Sequence, residues 1–550
     1  MPVGAQVSKN NYKWAAPGDV NAFFGLMLDN IADLLLTVGL LAAVFSFPAS
    51  FAMRYMVPGT AIGVLVGDLI FFWMALRLAK RTGREDITAM PLGLDTPSTI
   101  GMVFFVLGPA FVHGKMPVAD GGLGLAEFDA AMFTWKIGIC SIFISGLFKF
   151  ACAFGSNWIR RVVPRAGLLG SLAAIALVLI CFLPLIEIMP YPIVGLVALS
   201  IILTTLVARI PLPGRVPGAL GAMLVAAAVY YIMVGTGHIE HDFGREFRNA
   251  REALMPTEWT LVFQFGWVSA MGAAMTYMPI VIPFALGTVV GGIDCTESAA
   301  AAGDEYDTNQ VIGVEAFATL VASLCGGVIQ TTPYIGHPAY KAMGGRAAYT
   351  LATALFVGGA GLLGYFGFLY AIIPKPTVFP ILIFIGLEIT AQSFKATKVS
   401  HYPALALACI PALAQLAIIF LDELLGTPQD GVQGNPIIAE FLGGQIVEKI
   451  HTLRILANGF IVTSLIWSAS LAMIIDRRLY SAASYFAVAA ACSLFGIMHS
   501  PIKGAPMFLP WTLTNEHLRQ TPYQFAIGYL LVALMMLGMG WWRQQTAGDG

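Results

Sequence analysis

The chain has 550 residues, a net charge of −1, 58% hydrophobic residues and only 11% charged ones. A soluble domain carries roughly 25% charged residues, so this composition excludes a water-soluble globule. It also excludes nucleic acid as a partner, because no long basic stretch is present to hold phosphates. Cys140, Cys152, Cys181, Cys295, Cys325, Cys409 and Cys492 fall almost wholly inside apolar segments. Thiols there act as small core residues, which argues against a disulfide framework or a metal cluster. Residues 1–20 lack the apolar core of a cleavable signal peptide, so the first span is expected to act as its own insertion signal.

Apolar runs recur from Ala22 to Trp542, and they predict about sixteen membrane spans of roughly 17–25 residues. In chain order these are 22–47, 57–80, an interrupted segment 87–111, 133–154, 166–186, 192–208 and 216–234. A polar stretch follows over 236–276, interfacial after Trp259. Spans resume at 277–300, 311–328, a second interrupted segment 331–343, 347–372 and 377–392. The last are 402–421, 455–475, 482–498 and 525–542. Lys and Arg concentrate in alternate loops, at Lys80–Arg84, Arg160–Arg165, Arg209–Arg215, Lys395–Lys398 and Arg477–Arg478. By the positive-inside rule both termini are cytoplasmic, as in a multi-pass protein of a bacterial inner membrane.

The two interrupted segments share a pattern. The first reads Met90-Pro-Leu-Gly-Leu-Asp-Thr-Pro-Ser-Thr-Ile-Gly101 and the second Gly326-Gly-Val-Ile-Gln-Thr-Thr-Pro-Tyr-Ile-Gly-His337. Thr96 and Thr332 suit N-caps, with Pro97 and Pro333 at the first helical position. Broken backbone at membrane depth is tolerated only inside protein or beside a watery cavity. Matched breaks in two halves point to a transporter's binding site. The breaks lie seven spans apart and run in opposite directions, which predicts a seven-plus-seven inverted repeat. The expected divisions are a cytoplasmic segment 1–20, a first repeat 21–235, an extracytoplasmic loop 236–276, a second repeat 277–475 and two additional C-terminal spans within 476–550. The converging half-helix N-termini suit carbonyl oxygens or an anion.

Residues 18–425 resemble the xanthine–uracil permeases, or nucleobase–ascorbate transporters, nearest the adenine–guanine–hypoxanthine branch. The motifs are Asn21–Asp33, Met90–Gly101, Gly287–Ser298, Gly326–Arg346 and Pro374–Gln392. The resemblance implies an all-α fold with core and gate domains, a homodimer, and a substrate carboxylate at the position of Asp294. The family's Gln-His pair in the first span is replaced by Met27-Leu28, and its polar residue in the second break falls on Gly336, with His337 beside it.

The residues expected at the substrate are Asp294, Thr96, Pro97, Ser98, Thr332, Tyr334, Gly336 and His337. Ionisable residues inside a membrane mark pathways by default. Asp294 and Glu297 share a helical face, and a carboxylate can accept two donors at once. Asp29 and Asp33 also share a face, where like charges repel unless a cation or proton intervenes. Asp29, Asn30, Asp294 and Glu297 are therefore the expected coupling set for H+ or Na+, with no other cofactor and no resident metal. Glu315 and Glu388 read as structural groups near the interfaces. His238 and His241 have a ligand-like spacing, but their loop supplies no convincing third zinc ligand. The expected function is ion-coupled alternating-access transport of a nucleobase-like or other small planar polar solute. The alternative is a bicarbonate-, sulfate- or carboxylate-type anion in the same fold. No HExxH or GxSxG motif supports an intramembrane enzyme.

Overall fold

The computed structural model describes residues 12–118, 121–162, 164–216, 218–240, 242–334, 336–425, 444–502, 508–513 and 516–548. In chain order the helices of the first half are α1 (Gly18–Phe45), α2 (Ala49–Thr82), α3 (Thr96–Lys115), α4 (Glu127–Val162), α5 (Arg165–Ile188), α6 (Pro192–Val207) and α7 (Gly218–Gly235). A polar helix, α8 (Phe243–Glu252), and a run of 3-10 turns over 258–277, broken by one α-helical turn at Met271–Ala274, lead into the second half. There follow α9 (Met278–Ala301), α10 (Thr308–Leu324), α11 (His337–Ala342), α12 (Ala348–Leu362), α13 (Phe366–Ile372), α14 (Lys375–Lys395), α15 (Tyr402–Leu425), α16 (Gly444–Ala457) and α17 (Phe460–Ile475). The chain ends on α18 (Leu479–Leu494) and α19 (Glu516–Gly548). Two short strands, β1 (Leu92–Leu94) and β2 (Thr331–Pro333), lie just before α3 and α11.

Among the described residues, nine helices are long and apolar enough to cross a membrane, or twelve if each of three sharply bent pairs makes one span. This is fewer than the about sixteen expected from length and apolarity alone. Pro192–Val207, Phe284–Ile293 and Leu479–Leu494 are apolar but short. Elsewhere a bend divides an apolar run, as between α12 and α13 at 91°. Gly364 turns that corner at φ 76°, backbone that few residues other than glycine adopt.

The seven-plus-seven inverted repeat is visible in which helices pack together. α2 packs on α12, and its counterparts seven spans on, α10 and α4, pack on each other. α1 meets α12 as α9 meets α4. In the other half of the bundle α6 meets α7 as α15 meets α17, and α5 meets α15 as α14 meets α6. Each contact thus has a partner under exchange of the two halves. The helices sort into a core set (α1–α4 and α9–α13) and a gate set (α5–α7 and α14–α17). α18 and α19 pack mainly on each other, with α18 resting on α17, so they lie outside the repeat.

Candidate functional site

The two breaks meet inside the core set. β1 and β2 form an antiparallel pair in which Leu92, Gly93 and Leu94 stand opposite Pro333, Thr332 and Thr331. Backbone bonds continue the register at both ends, with Tyr334 N–H donating to Pro91 O at 2.9 Å and Asp95 N–H to Gln330 O at 3.1 Å. Pro91 biases the residue before it away from helical backbone, which starts the extended stretch. The strand N–H groups that have no strand partner are met by side chains. Asp68 on α2 accepts from Leu92 at 3.0 Å, and Asn30 on α1 accepts from Leu94 at 3.0 Å. On β2 the Thr331 N–H donates to Thr319 on α10 at 3.3 Å. Buried backbone must be paired in this way.

The half-helix starts differ from their expected positions. Asp95, not Thr96, caps α3 by accepting the Ser98 N–H at 2.9 Å. Thr96 occupies the first helical position, and its hydroxyl donates to Asp33 on α1 at 3.0 Å. In the second break Thr332 and Pro333 are in β2, so neither starts a helix. α11 begins only at His337, with Gly336 as its cap residue and Pro338 early in its first turn. Strand pairing takes residues 331–333 first, and the next proline then opens the helix.

The expected residues divide into three groups. Thr96, Pro97, Ser98, Asp29 and Asn30 are buried around the first break, and the Asp29 carboxylate lies against Gly93 of β1. Thr332 is half-buried on β2, and Tyr334 follows it, stacked on Tyr340 with ring centroids 6.1 Å apart. Gly336 lies under those two rings, where an added Cβ would come within 2.5 Å of Tyr334. The side chains of Asp294 and Glu297 on α9, and His241, lie outside the described residues.

His337 is fully buried but faces a different cluster. Its Nε2 lies 3.1 Å from Thr88 O and 3.3 Å from Asp304 in the α9–α10 loop. Lys341 approaches Asp304 at 2.5 Å, Arg84 at 3.2 Å, and the Thr88 N–H donates to it at 3.0 Å. Burial opposes ionisation of Asp304, yet His337, Lys341 and Thr88 together hold its carboxyl below the usual range. Asp304 thus ties the segment before β1 to the helix after β2.

Sequence reasoning missed Lys149 and set Glu315 aside as a structural group, yet the structure brings both to the crossing. Lys149 on α4 is fully buried and forms an ion pair of 2.8 Å with Glu315 on α10, itself fully buried. The Lys149 ammonium also donates to Thr331 O of β2 at 2.8 Å. Glu315 is therefore deep in the core and not near an interface. The expected place near an interface came from reading α10 alone, without the lysine that pairs with Glu315. The signal was present: Lys149 interrupts the apolar run Ser145-Gly-Leu-Phe-Lys-Phe-Ala151, and a lysine there is a pathway marker by default.

No protein-family model matches the chain, and no curated protein matches it. Among solved structures it is similar to "The transmembrane domain of a cyanobacterium bicarbonate transporter BicA", at TM-score 0.46 and 13% identity, covering 74% of this chain and 96% of that one. It is also similar to "The overall structure of SLC26A9", at 0.44 and 12%, covering 73% and 62% of the two chains. The murine solute carrier 26 family member A9 anion transporter in an inward-facing state gives 0.43 and 12%, covering 75% and 68%. These neighbours correct the expected membership of the xanthine–uracil permeases, which none of the comparisons supports. The apolar helices and their paired packing are those of an integral multi-pass membrane protein with an inverted-repeat helical fold.

Proposed function

We propose that this protein is a secondary transporter, not an enzyme, that moves a small inorganic or carboxylate anion by alternating access, coupled to a proton or sodium ion. The observation that carries the reading is Lys149. Among the described residues it is the one lysine or arginine that is fully buried, and its ammonium sits on the backbone of the strand crossing. A buried ammonium is expensive unless it serves a counter-charge, and a passing anion can share it with Glu315. The N-terminus of α3 opens beside the crossing, where the capping Asp95 carboxylate already meets its partial positive charge. Tyr334, next to the crossing, adds a hydroxyl suited to an oxyanion or halide, whereas the Thr96 and Ser98 hydroxyls are given to Asp33 and to Asp95 O. The anion reading takes the place of the planar-solute one because a full positive charge, the one fully buried among the described residues, marks the crossing.

The gate set supplies the surface against which the core set moves, and assembly as a homodimer through it belongs to this reading. The reading is tested by melting curves of the purified protein with chloride, nitrate, sulfate, bicarbonate and oxalate, alongside nucleobases and ureides. A saturable upward shift with one anion, lost in Lys149→Gln, is the expected result. Stabilisation by nucleobases alone would reject it. Single-particle images in lipid nanodiscs that contain only monomers would remove the dimer.

A further inference from the structure

The geometry points to Glu315 as the proton carrier of the transport cycle, exchanging its Lys149 partner for a proton each time an anion enters. This rests on the anion reading above and deepens it. The Lys149 ammonium has three donors; one goes to Thr331 O and one faces Glu315. It can therefore turn from Glu315 to an anion while staying anchored to β2.

Once Lys149 turns away, Glu315 is a carboxylate buried without its counter-charge, an arrangement far more costly than the intact pair. A proton relieves it. In the balanced step the anion takes the place of Glu315 as the Lys149 counter-charge, and Glu315 takes one proton from water on the entry side. Release on the far side returns that proton to water, and the Lys149–Glu315 pair re-forms. Lysine remains an ammonium throughout, and one proton crosses with each anion.

The surroundings of Glu315 fit this role. From α4 it meets Lys149, its charge is felt at Cys152 on the same helix, and from the head of α3 the charge of Asp95 reaches it. From α9 it meets the Thr288 hydroxyl and the bare backbone of Gly292, where an added Cβ would come within 2.7 Å of Glu315 Oε2. From β2 it meets Thr331, whose hydroxyl bonds the Glu315 backbone carbonyl at 3.3 Å. Asp68 on α2 is turned to the Leu92 N–H. Lys149 is thus the one cation against Glu315 among the described residues. The pair joins α4 of the first half to α10 of the second, directly beside the β2 break. An ion pair serving stability alone could be replaced there by apolar side chains at little cost.

The test uses full-length protein in liposomes with the membrane potential clamped and an inward proton gradient imposed. Chloride, nitrate, sulfate and oxalate are the labelled probes. Wild type is expected to accumulate at least one of them above equilibrium. Glu315→Gln keeps the shape and an acceptor for Lys149, so it should retain one-for-one anion exchange but lose gradient-driven accumulation at least tenfold. Accumulation at the wild-type level by folded Glu315→Gln would overturn the proposal, as would wild-type uptake indifferent to the proton gradient. If Glu315→Gln does not fold, Glu315→Asp should shift the pH midpoint of uptake, and an unchanged midpoint is equally fatal. Wild type that moves none of the probes overturns the anion reading itself, which separates the two failures.

Discussion

Gly93 of the first break stands directly opposite Thr332 of the second, so the centre of the molecule is a contact between residues from different halves of the chain. On its other side Gly93 faces α1, where an added Cβ would lie 3.4 Å from Asp29 Oδ2 and 3.8 Å from Asn30 Oδ1. An alanine would be tolerated at that position; a branched side chain would push α1 from β1. Gly93→Val is therefore expected to lower both melting temperature and transport, while Gly93→Ala leaves the fold intact. Equal melting curves for Gly93→Val and wild type would show that α1 is not held against the strand.

Asn30 gives a second test of the same contact. Its side-chain oxygen is the partner of the Leu94 N–H, and its amide donates to Leu26 O at 3.0 Å. Asn30→Leu keeps the branching at Cγ but orphans a buried donor, a loss of about 1–3 kcal/mol. Asn30→Asp keeps the acceptor but turns an oxygen onto Leu26 O and buries another carboxyl beside Asp29, so it should destabilise at least as much. Denaturation in detergent, read by tryptophan fluorescence, ranks the two.

The Asp304 cluster predicts a pH dependence with a fixed sign. A carboxyl held below its ordinary value stabilises the fold above the unfolded pKa, and that contribution is lost as pH falls through the folded value. The wild-type melting temperature should therefore fall on acidification beneath the ordinary carboxylate range. Asp304→Asn should start lower at neutral pH and show a smaller acid decline. A parallel pair of curves would mean that Asp304 is not the group that ties Thr88, His337 and Lys341 together.

The C-terminal helices leave a mark on the gate. Asn458, at the 74° break between α16 and α17, donates to Ser500 O at 2.6 Å and to Ile502 O at 3.2 Å. Gly459 beside it has φ 73°, and an added Cβ would run into Ile497 O. Gly459→Ala is thus strained by backbone and by space together. It should destabilise the protein clearly, whereas Gly528→Ala, with open space around its Cβ position, should not.

The fold was legible because its strongest features are written locally. Apolar runs set most of the spans, and the Gly/Pro breaks at 90–101 and 326–337 stand out against them. Their spacing already implied opposite directions, which the antiparallel β1–β2 pair now displays. The site was only half legible. Thr96 and Asn30 lie in or beside a break and could be found by position. Asp95 was overlooked because Thr96 next to it is also an acceptable cap residue. The Lys149–Glu315 pair joins positions far apart in sequence, and neither residue signals its partner. The contacts of His337 with Asp304 and Thr88 were not legible, because those partners come from two distant loops.

The most direct measurement of the central claim is anion uptake into liposomes by wild type and Lys149→Gln, with Lys149→Gln/Glu315→Gln included to keep the core free of an unpaired charge. Removing one member of a buried pair costs about 3–5 kcal/mol, so each variant is first matched to wild type by its melting curve. The account predicts saturable uptake of at least one of chloride, nitrate, sulfate or oxalate by wild type, and its loss in both folded variants. Undiminished anion uptake by the folded double variant would contradict it.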